Sequence, residues 1–346
     1  MSAEPTSTEV LVVGGGPIGL AAAIEARRAG WDTVVVEPRS TPIDKACGEG
    51  LMPGAVRALH QLGVDPPGHP IAGISYRDGR QRADHRFRSG PGRGVRRTVL
   101  QQALAVRVQQ LGIPMVRARA ERVDAEPGGV LAAGISARWL LACDGLHSPT
   151  RRRLGLDQPH SRARSRRRFG IRQHFRVPAW TSLVEVHWGS GVEAYVTPVG
   201  VDEVGVALLG PPGLDYQAEL ARFPELSARL RGAHPLGPVR GAGPLRQRSR
   251  RRTAGPVRLV GDASGYVDAL TGEGIRVGLA QARAAVATLE QNSSAYEREW
   301  SRATRSYRVL TSGLVRWASS PARGAIVAVA TRLPGLYGAI VDRLAQ

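Results

Sequence analysis

Three short clusters have residue types and spacing suited to chemistry. The first is Gly14-x-Gly16-x-x-Gly19, with Glu37 about twenty residues on. Gly14 permits a tight turn, Gly16 lets backbone approach a pyrophosphate, and Gly19 lets a helix pack closely on a strand. The N-terminus of the helix that follows this turn, which also holds Pro17, offers unpaired N–H groups and a positive dipole end to phosphate. Glu37 is placed to accept hydrogen bonds from a ribose. The alternative is a glycine-rich loop without a ligand; a flanking strand, helix and acid argue for a dinucleotide. This motif does not separate NAD from FAD.

The second cluster lies more than 200 residues later. Val257-Arg258-Leu259-Val260 reads as a buried strand that ends in Gly261-Asp262-Ala263-Ser264-Gly265. Alone it is an ordinary strand-to-turn pair. The third cluster, Asp144-Gly145-x-x-Ser148-x-x-Arg151, follows the apolar run Leu140–Cys143. Alone it is a turn with a capping serine.

In this order and spacing the three clusters resemble the para-hydroxybenzoate hydroxylase superfamily of FAD proteins. The resemblance spans roughly residues 9–290. It implies that the Asp262 carboxylate binds a ribityl hydroxyl. Arg97 would sit against the ribityl and phosphate region, and Asp144 and Gly145 would support FAD and a transient nicotinamide nucleotide (NADPH or NADH). Hydroxylases of that superfamily carry a His after Gly-Asp-Ala and a Pro ahead of the next glycine pair; here Ser264-Gly265 and Asp268-Ala269 stand there. Leu270-Thr271-Gly272-Glu273-Gly274-Ile275 is similar instead to the geranylgeranyl reductase branch, as is Lys45-Ala46-Cys47-Gly48-Glu49-Gly50-Leu51. Glu49 departs from that branch, which has glycine at the position. Flavin halogenases carry a Trp-x-Trp-x-Ile-Pro stretch with a catalytic lysine; Lys45 is the only lysine and lies in no such stretch.

From that placement, Gly272 and Gly274 open a helix whose N-terminus points at the flavin pyrimidine edge, where reduced flavin is negative. Glu273 reads first as a simple first-turn acid. Cys47, among small residues, suits a loop against the isoalloxazine and is the catalytic candidate; the alternative is a small buried hydrophobe. His174, His187, Tyr195 and Thr197 are candidates to face a substrate, although His and Tyr on strands are more often structural. No metal cluster is legible.

These residues need elements to position them. Residues 9–13 read as a buried strand, Leu20–Ala29 as an alanine-rich helix, and Thr33–Val36 as a second buried strand, which is one βαβ unit. Helices are expected at Pro53–Leu62, Arg97–Leu111, Gln217–Arg231 and from about Gly272 to Leu289. Gly170–Val177, Leu183–Trp188, Val192–Pro198 and Val204–Leu209 alternate as an antiparallel sheet does. Beyond about residue 296 the chain reads as helices broken at Pro321 and Pro334. The fold class is therefore α/β plus an antiparallel sheet: a Rossmann-like FAD-binding domain of the glutathione-reductase type (GR2) with a smaller β-sheet substrate domain and C-terminal helices. The divisions are 1–70, 95–158 and 246–295 for the first, 71–94 and 159–245 for the second, and 296–346 for the helices.

Composition narrows the classes. The chain has 346 residues, 42% of them hydrophobic, and a formal charge of +19. That length allows about two domains and a sizeable core. The charge is almost wholly arginine, with Gly 42 in the same chain, the pattern of a GC-rich coding bias. Charge bears on solubility and non-specific binding. No aromatic-interleaved basic strand, zinc pattern or helix-turn-helix supports specific nucleic-acid recognition. The segment Arg162–Arg168 reads as a solvated cluster or as a surface for an anionic substrate or lipid. Two cysteines, Cys47 and Cys143, make no disulfide framework. A soluble, cytoplasmic protein is expected, with a possible peripheral membrane contact at its C-terminal end; oligomeric state is not legible.

The resulting expectation is an FAD-dependent oxidoreductase acting on a small or lipophilic organic substrate. The favoured reaction is NAD(P)H-driven reduction of a carbon–carbon double bond by reduced flavin. A monooxygenase working through a C4a-hydroperoxide stays open, as does, from another class, a basic nucleic-acid-binding protein.

Overall fold

The computed structural model describes residues 6–158 and 167–346. Most of the Arg162–Arg168 segment lies outside the described residues.

The apolar run at the start becomes the strand Ser7–Val13, whose last four residues are buried. Tetrads of valine and leucine buried on both faces are what a covered parallel sheet requires. This strand is flanked in parallel by Thr33–Val36 on one side and Ile135–Ala142 on the other. Val257–Leu259 adds in parallel beyond Ile135–Ala142, and Met115–Val116 beyond Thr33–Val36. Strands from widely separated parts of the chain thus form one sheet of eight, counting the hairpin Val123–Glu126 and Gly129–Ala132 and the edge strand Thr253–Ala254. The helix Pro17–Arg28 packs its Leu20–Ile24 face into the core with Leu100, Leu104 and Val108 of the helix Arg97–Gln110 and Ala282 and Ala285 of the helix Gly274–Ala287.

A second sheet has seven strands in the order His234–Ala242, Phe169–Arg176, Glu203–Gly210, Glu193–Gly200, Leu183–Trp188, Gly73–Arg77 and Arg82–Arg86. It is antiparallel except where Leu183–Trp188 runs parallel to Gly73–Arg77. A short three-stranded sheet, Gly50–Leu51, Gly92–Gly94 and His69–Ile71, lies where the chain passes between the two. The mixed α/β architecture with C-terminal helices is the one expected.

Several local expectations change. The helix anticipated over Gln217–Arg231 is two short ones, Tyr216–Ala221 and Pro224–Arg229. Pro224 has no N–H to continue the first helix and opens the second instead. The strand His234–Ala242 is exposed along most of its length, so it carries no apolar alternation to betray it. The C-terminal part begins with a helix of 26 residues, Ser293–Ala318, followed by Ile326–Arg332 and Pro334–Ala345. Among the described residues no single helix is long and apolar enough to cross a membrane; the last two, taken together, are apolar but bent by 100°.

Candidate functional site

A cleft runs between the eight-stranded sheet and the seven-stranded one. Of the residues singled out above, Gly16, Pro17, Cys47, Arg97, Asp144, Gly145, Asp262, Gly272 and Gly274 line it. They come from six separate stretches of chain. Gly14, Gly19 and Glu37 stand behind the lining.

Gly14 has φ +112, and a Cβ there would lie 2.5 Å from the Cys143 carbonyl oxygen. A Cβ on Gly19 would lie 1.8 Å from the Gly14 carbonyl oxygen. Both positions are closed to any other residue by backbone, so their glycines serve the strand–helix packing. Gly16 differs: the nearest atom to a Cβ there is Arg97 Nη2 at 3.6 Å, and the space in front belongs to the cleft. Pro17 opens the helix, no side chain caps it, and its first N–H groups are left to the cleft.

Glu37 holds this turn from behind. Its Oε2 accepts the Gly15 N–H at 2.8 Å and its Oε1 accepts Arg39 Nε at 2.7 Å. Burial pushes the carboxyl up, but the bonds from Arg39 and Gly15 outweigh it and hold the group below the ordinary carboxylate range. The acid read as a ribose acceptor is thus also a clamp on the glycine turn. Gln101, fully buried, donates to the Gly15 carbonyl at 3.2 Å. Its signal was a glutamine on the buried stripe of Leu100, Leu104 and Val108.

The two later motifs meet through Arg151. Its guanidinium, 1% exposed, donates to the carbonyls of Ala263 (3.0 Å) and Leu146 (3.2 Å) and pairs with Asp157 at 2.7 Å. The Gly261 N–H donates to Gln281 Oε1 at 2.7 Å, which fixes the other side of the turn. Neither arginine nor glutamine had been given a role from sequence. Asp262 itself projects into the cleft, and no side-chain hydrogen bond to it is formed among the described residues. Asp144 Oδ2 accepts the Thr150 N–H at 2.9 Å, while its buried Oδ1 has no partner among the described residues. Arg97 likewise gives its backbone N–H to Glu49 and leaves Nε buried and unpartnered.

The cradle at Gly16, the unpartnered Asp144 Oδ1 and Arg97 Nε, and the free Asp262 carboxylate fit a long ligand bearing phosphates and hydroxyls. FAD has those groups, and the residues present fit it.

The loop Lys45–Leu51 forms the cleft wall beside Cys47. Glu49 takes φ +61, the left-handed conformation that glycine adopts without cost. It is held there by burial and by partners: the Arg97 N–H at 2.9 Å on Oε1 and His174 Nε2 at 2.5 Å on Oε2. Arg172 Nη1 donates to His174 Nδ1 at 2.9 Å. A guanidinium only donates, so Nδ1 carries the lone pair and Nε2 the proton, given to Glu49. Arg172 also pairs with Asp44 at 2.7 Å. His174 therefore lies behind the cleft wall, in the structural role more usual for a strand histidine. His187 is structural too: it pairs with Glu185 at 3.0 Å on the face opposite Val184 and Val186, which line the cleft. Strand alternation puts odd and even residues on opposite faces there. Tyr195 and Thr197 do line the cleft; Tyr195 donates to the Leu270 carbonyl at 3.1 Å and Thr197 to that of Gly48 at 2.8 Å. Glu273 turns away and pairs with Arg276, its Nε at 3.0 Å, with burial raising the carboxyl.

The far end of the cleft is apolar: Ile74, Tyr76, Val184, Val186 and Leu270 from the sheet side meet Val341 and Leu344 of the last helix.

Residues 7–86 match the family model for the FAD binding domain. The menaquinone reductase of Mycobacterium tuberculosis is 30% identical over 321 residues, covering 84% of this chain and 78% of that one. Digeranylgeranylglycerophospholipid reductase 1 of Methanopyrus kandleri is 29% identical over 78% of this chain and 77% of its own. Among solved structures, a flavoprotein/dehydrogenase from Cytophaga hutchinsonii superposes with TM-score 0.85 at 18% identity, covering 98% of this chain and 92% of that one.

Proposed function

Since the chain belongs to the para-hydroxybenzoate hydroxylase superfamily of FAD-dependent oxidoreductases, in its geranylgeranyl reductase-like branch, we propose that it reduces a carbon–carbon double bond of a lipophilic substrate. FAD, when bound, supplies two-electron exchange between a nicotinamide nucleotide and that substrate. We take residues 1–70, 95–158 and 246–295 as the FAD-binding domain and 71–94 and 159–245 as the substrate domain.

The residues divide the work by chemistry. The open helix end at Gly16-Pro17 receives the pyrophosphate, since its N–H groups and dipole favour anions. Glu37 sets the turn from behind the lining, through Gly15 and Arg39. Asp262 accepts from a ribityl hydroxyl, and Asp144 Oδ1 from a donor at the cleft floor. Gly272 and Gly274, at the N-terminus of the helix Gly274–Ala287, put a positive dipole end where a reduced flavin is negative. Cys47, in the wall with Gly48, presents a polarizable thiol beside the reacting groups.

The observation that carries the substrate reading is the apolar far end closed by Val341 and Leu344. An apolar chain placed there loses contact with water, worth about 0.8 kcal/mol per buried CH₂. The reductase relatives support reduction over hydroxylation. A lipophilic substrate also favours a peripheral membrane contact, and the bend between the last two helices exposes Leu333 (51%) and Leu336 (54%). We place the protein in the cytoplasm.

The deciding experiment is anaerobic turnover. The reduced protein, mixed with a prenylated quinone or polyprenyl lipid without oxygen, is expected to reoxidise and release the saturated product. If reoxidation needs oxygen, and labelled oxygen from O₂ appears in the product, the chain is a monooxygenase and the reductase reading falls.

A further inference from the structure

A second cleft lies behind the Gly261–Ser264 turn, on the side away from the first, with Tyr266 lining both. Its lining contains Arg246, Arg248, Arg250, Arg252 and Arg308 and no acid. The first three are exposed and alternate with the buried Gln247 and Ser249, so one extended stretch presents three arginines on one face at the cleft.

The opposite wall holds the cations in place. Arg252 lies 3.9 Å and Arg308 5.1 Å from the ring centroid of Trp300, whose own Nε1 is fixed to Ser264 Oγ at 2.8 Å. Arg252 pairs with Glu297 at 3.2 Å. Arg246, Arg248, Arg250 and Arg308 form no ion pair among the described residues. Burial, followed by the charges of Arg248, Arg316 and Arg308, pushes the Arg246 guanidinium down, opposed only by Asp268. A set of like charges held together in a concavity is costly without a counter-charge and is stabilised by an anion that bridges them.

We propose that this arginine-lined cleft is a binding site for a soluble diphosphate-bearing ligand. A diphosphate spreads roughly two to three negative charges over two phosphoryl groups. Four guanidiniums without acid partners match two such groups better than one. Guanidinium forks take phosphate oxygens in pairs, and the Trp300 ring keeps the Arg308 fork oriented. The shared chemistry is the diphosphate, whether of a dinucleotide or of a prenyl diphosphate. The site is separate from the FAD cleft, and its existence does not depend on which reaction occurs there.

The test is titration calorimetry of the FAD-loaded protein with inorganic pyrophosphate at physiological ionic strength. We expect one saturable site per chain. The variant Arg248→Ala/Arg308→Ala is expected to bind at least about tenfold more weakly, since each residue removes charge-assisted hydrogen bonds. Its flavin content should be unchanged. Arg298→Ala/Arg305→Ala removes the same charge from the exposed surface of the helix Ser293–Ala318, outside the cleft, and should bind as the parent does. Equal weakening in both variants, or no saturable site, would mean general counterion attraction and would overturn the proposal. NADPH competition separates the sources: displacement of pyrophosphate by NADPH assigns a dinucleotide, and displacement only by a prenyl diphosphate assigns the other.

Discussion

The Arg151 guanidinium donates to the Ala263 carbonyl at 3.0 Å, and this bond ties the Asp144–Arg151 segment to the Gly261-Asp262 turn across 112 residues of chain. Arg151 reaches the Asp262 carbonyl too, at 3.4 Å, and Gln247 Oε1 at 2.9 Å. A side chain that satisfies this many buried acceptors is a structural pin for the turn that holds the cleft's acid.

Arg151→Leu is expected to lower stability by roughly 2–4 kcal/mol, because several buried acceptors lose their donor and Asp157 its partner. The loss is read as a shift in the urea midpoint. Flavin occupancy at saturating FAD should fall in parallel, since Asp262 is no longer fixed. A variant with full occupancy and parental stability would show that Arg151 is dispensable.

Asp262→Ala removes a carboxylate with no side-chain hydrogen bond among the described residues, so the apoprotein should change by no more than about 0.5 kcal/mol. Its flavin content after purification should nonetheless collapse. The ratio of flavin to protein absorbance measures this directly. Full occupancy would reduce the Gly-Asp turn to a structural feature.

Glu37→Ala should weaken FAD binding at least several-fold, a charge-assisted bond contributing roughly 1.5–3 kcal/mol. It also frees the Gly15 N–H and Arg39. Because its folded carboxyl lies below the ordinary range, Glu37 contributes stability above that range. That contribution is lost as pH falls through the folded value. Urea midpoints should therefore converge between parent and variant in acid; a constant gap between them would contradict the assignment.

Glu49→Gly relieves a left-handed non-glycine conformation, worth about 1–2 kcal/mol. It also strips partners from His174 and from the Arg97 N–H, each costing roughly 1–3 kcal/mol when buried. The two lost partners outweigh the relieved strain, so the melting temperature should drop. A rise would mean that the Glu49–His174 contact contributes nothing.

Cys47→Ser tests the reactive wall. Cys47 Sγ accepts the Glu49 N–H at 3.4 Å and is half-buried, so a hydroxyl finds the same donor. The fold and the FAD should survive while turnover or product pattern changes. Melting temperature and turnover on one preparation distinguish this from packing: lower stability with normal chemistry would sink the active-site role.

The local signals were legible because they are local. A glycine turn between strand and helix, an acid after the second strand and a strand ending in Gly-Asp are short-range requirements of backbone geometry, and the residues that meet them can be read one after another. Arg97, Asp144, Asp262, Gly272 and Cys47 follow instead from the family resemblance that the three clusters carry. What the chain order could not supply was the partners. Glu37 reads as a ribose acceptor until the fold brings Gly15 and Arg39 to its oxygens. His174 reads as a cleft residue until the seven-stranded sheet sets it against Glu49, 125 residues earlier. His187 needed the strand's parity relative to the cleft, which depends on which face of the sheet is covered. The arginines at 246–252 gain a facing wall only where the helix carrying Trp300 and Arg308 packs opposite them. Residue type and spacing determined which groups can bind and react. Only packing decided which are already satisfied by protein, and so which remain for a ligand, because a buried polar atom's partner comes from whichever segment the core brings beside it.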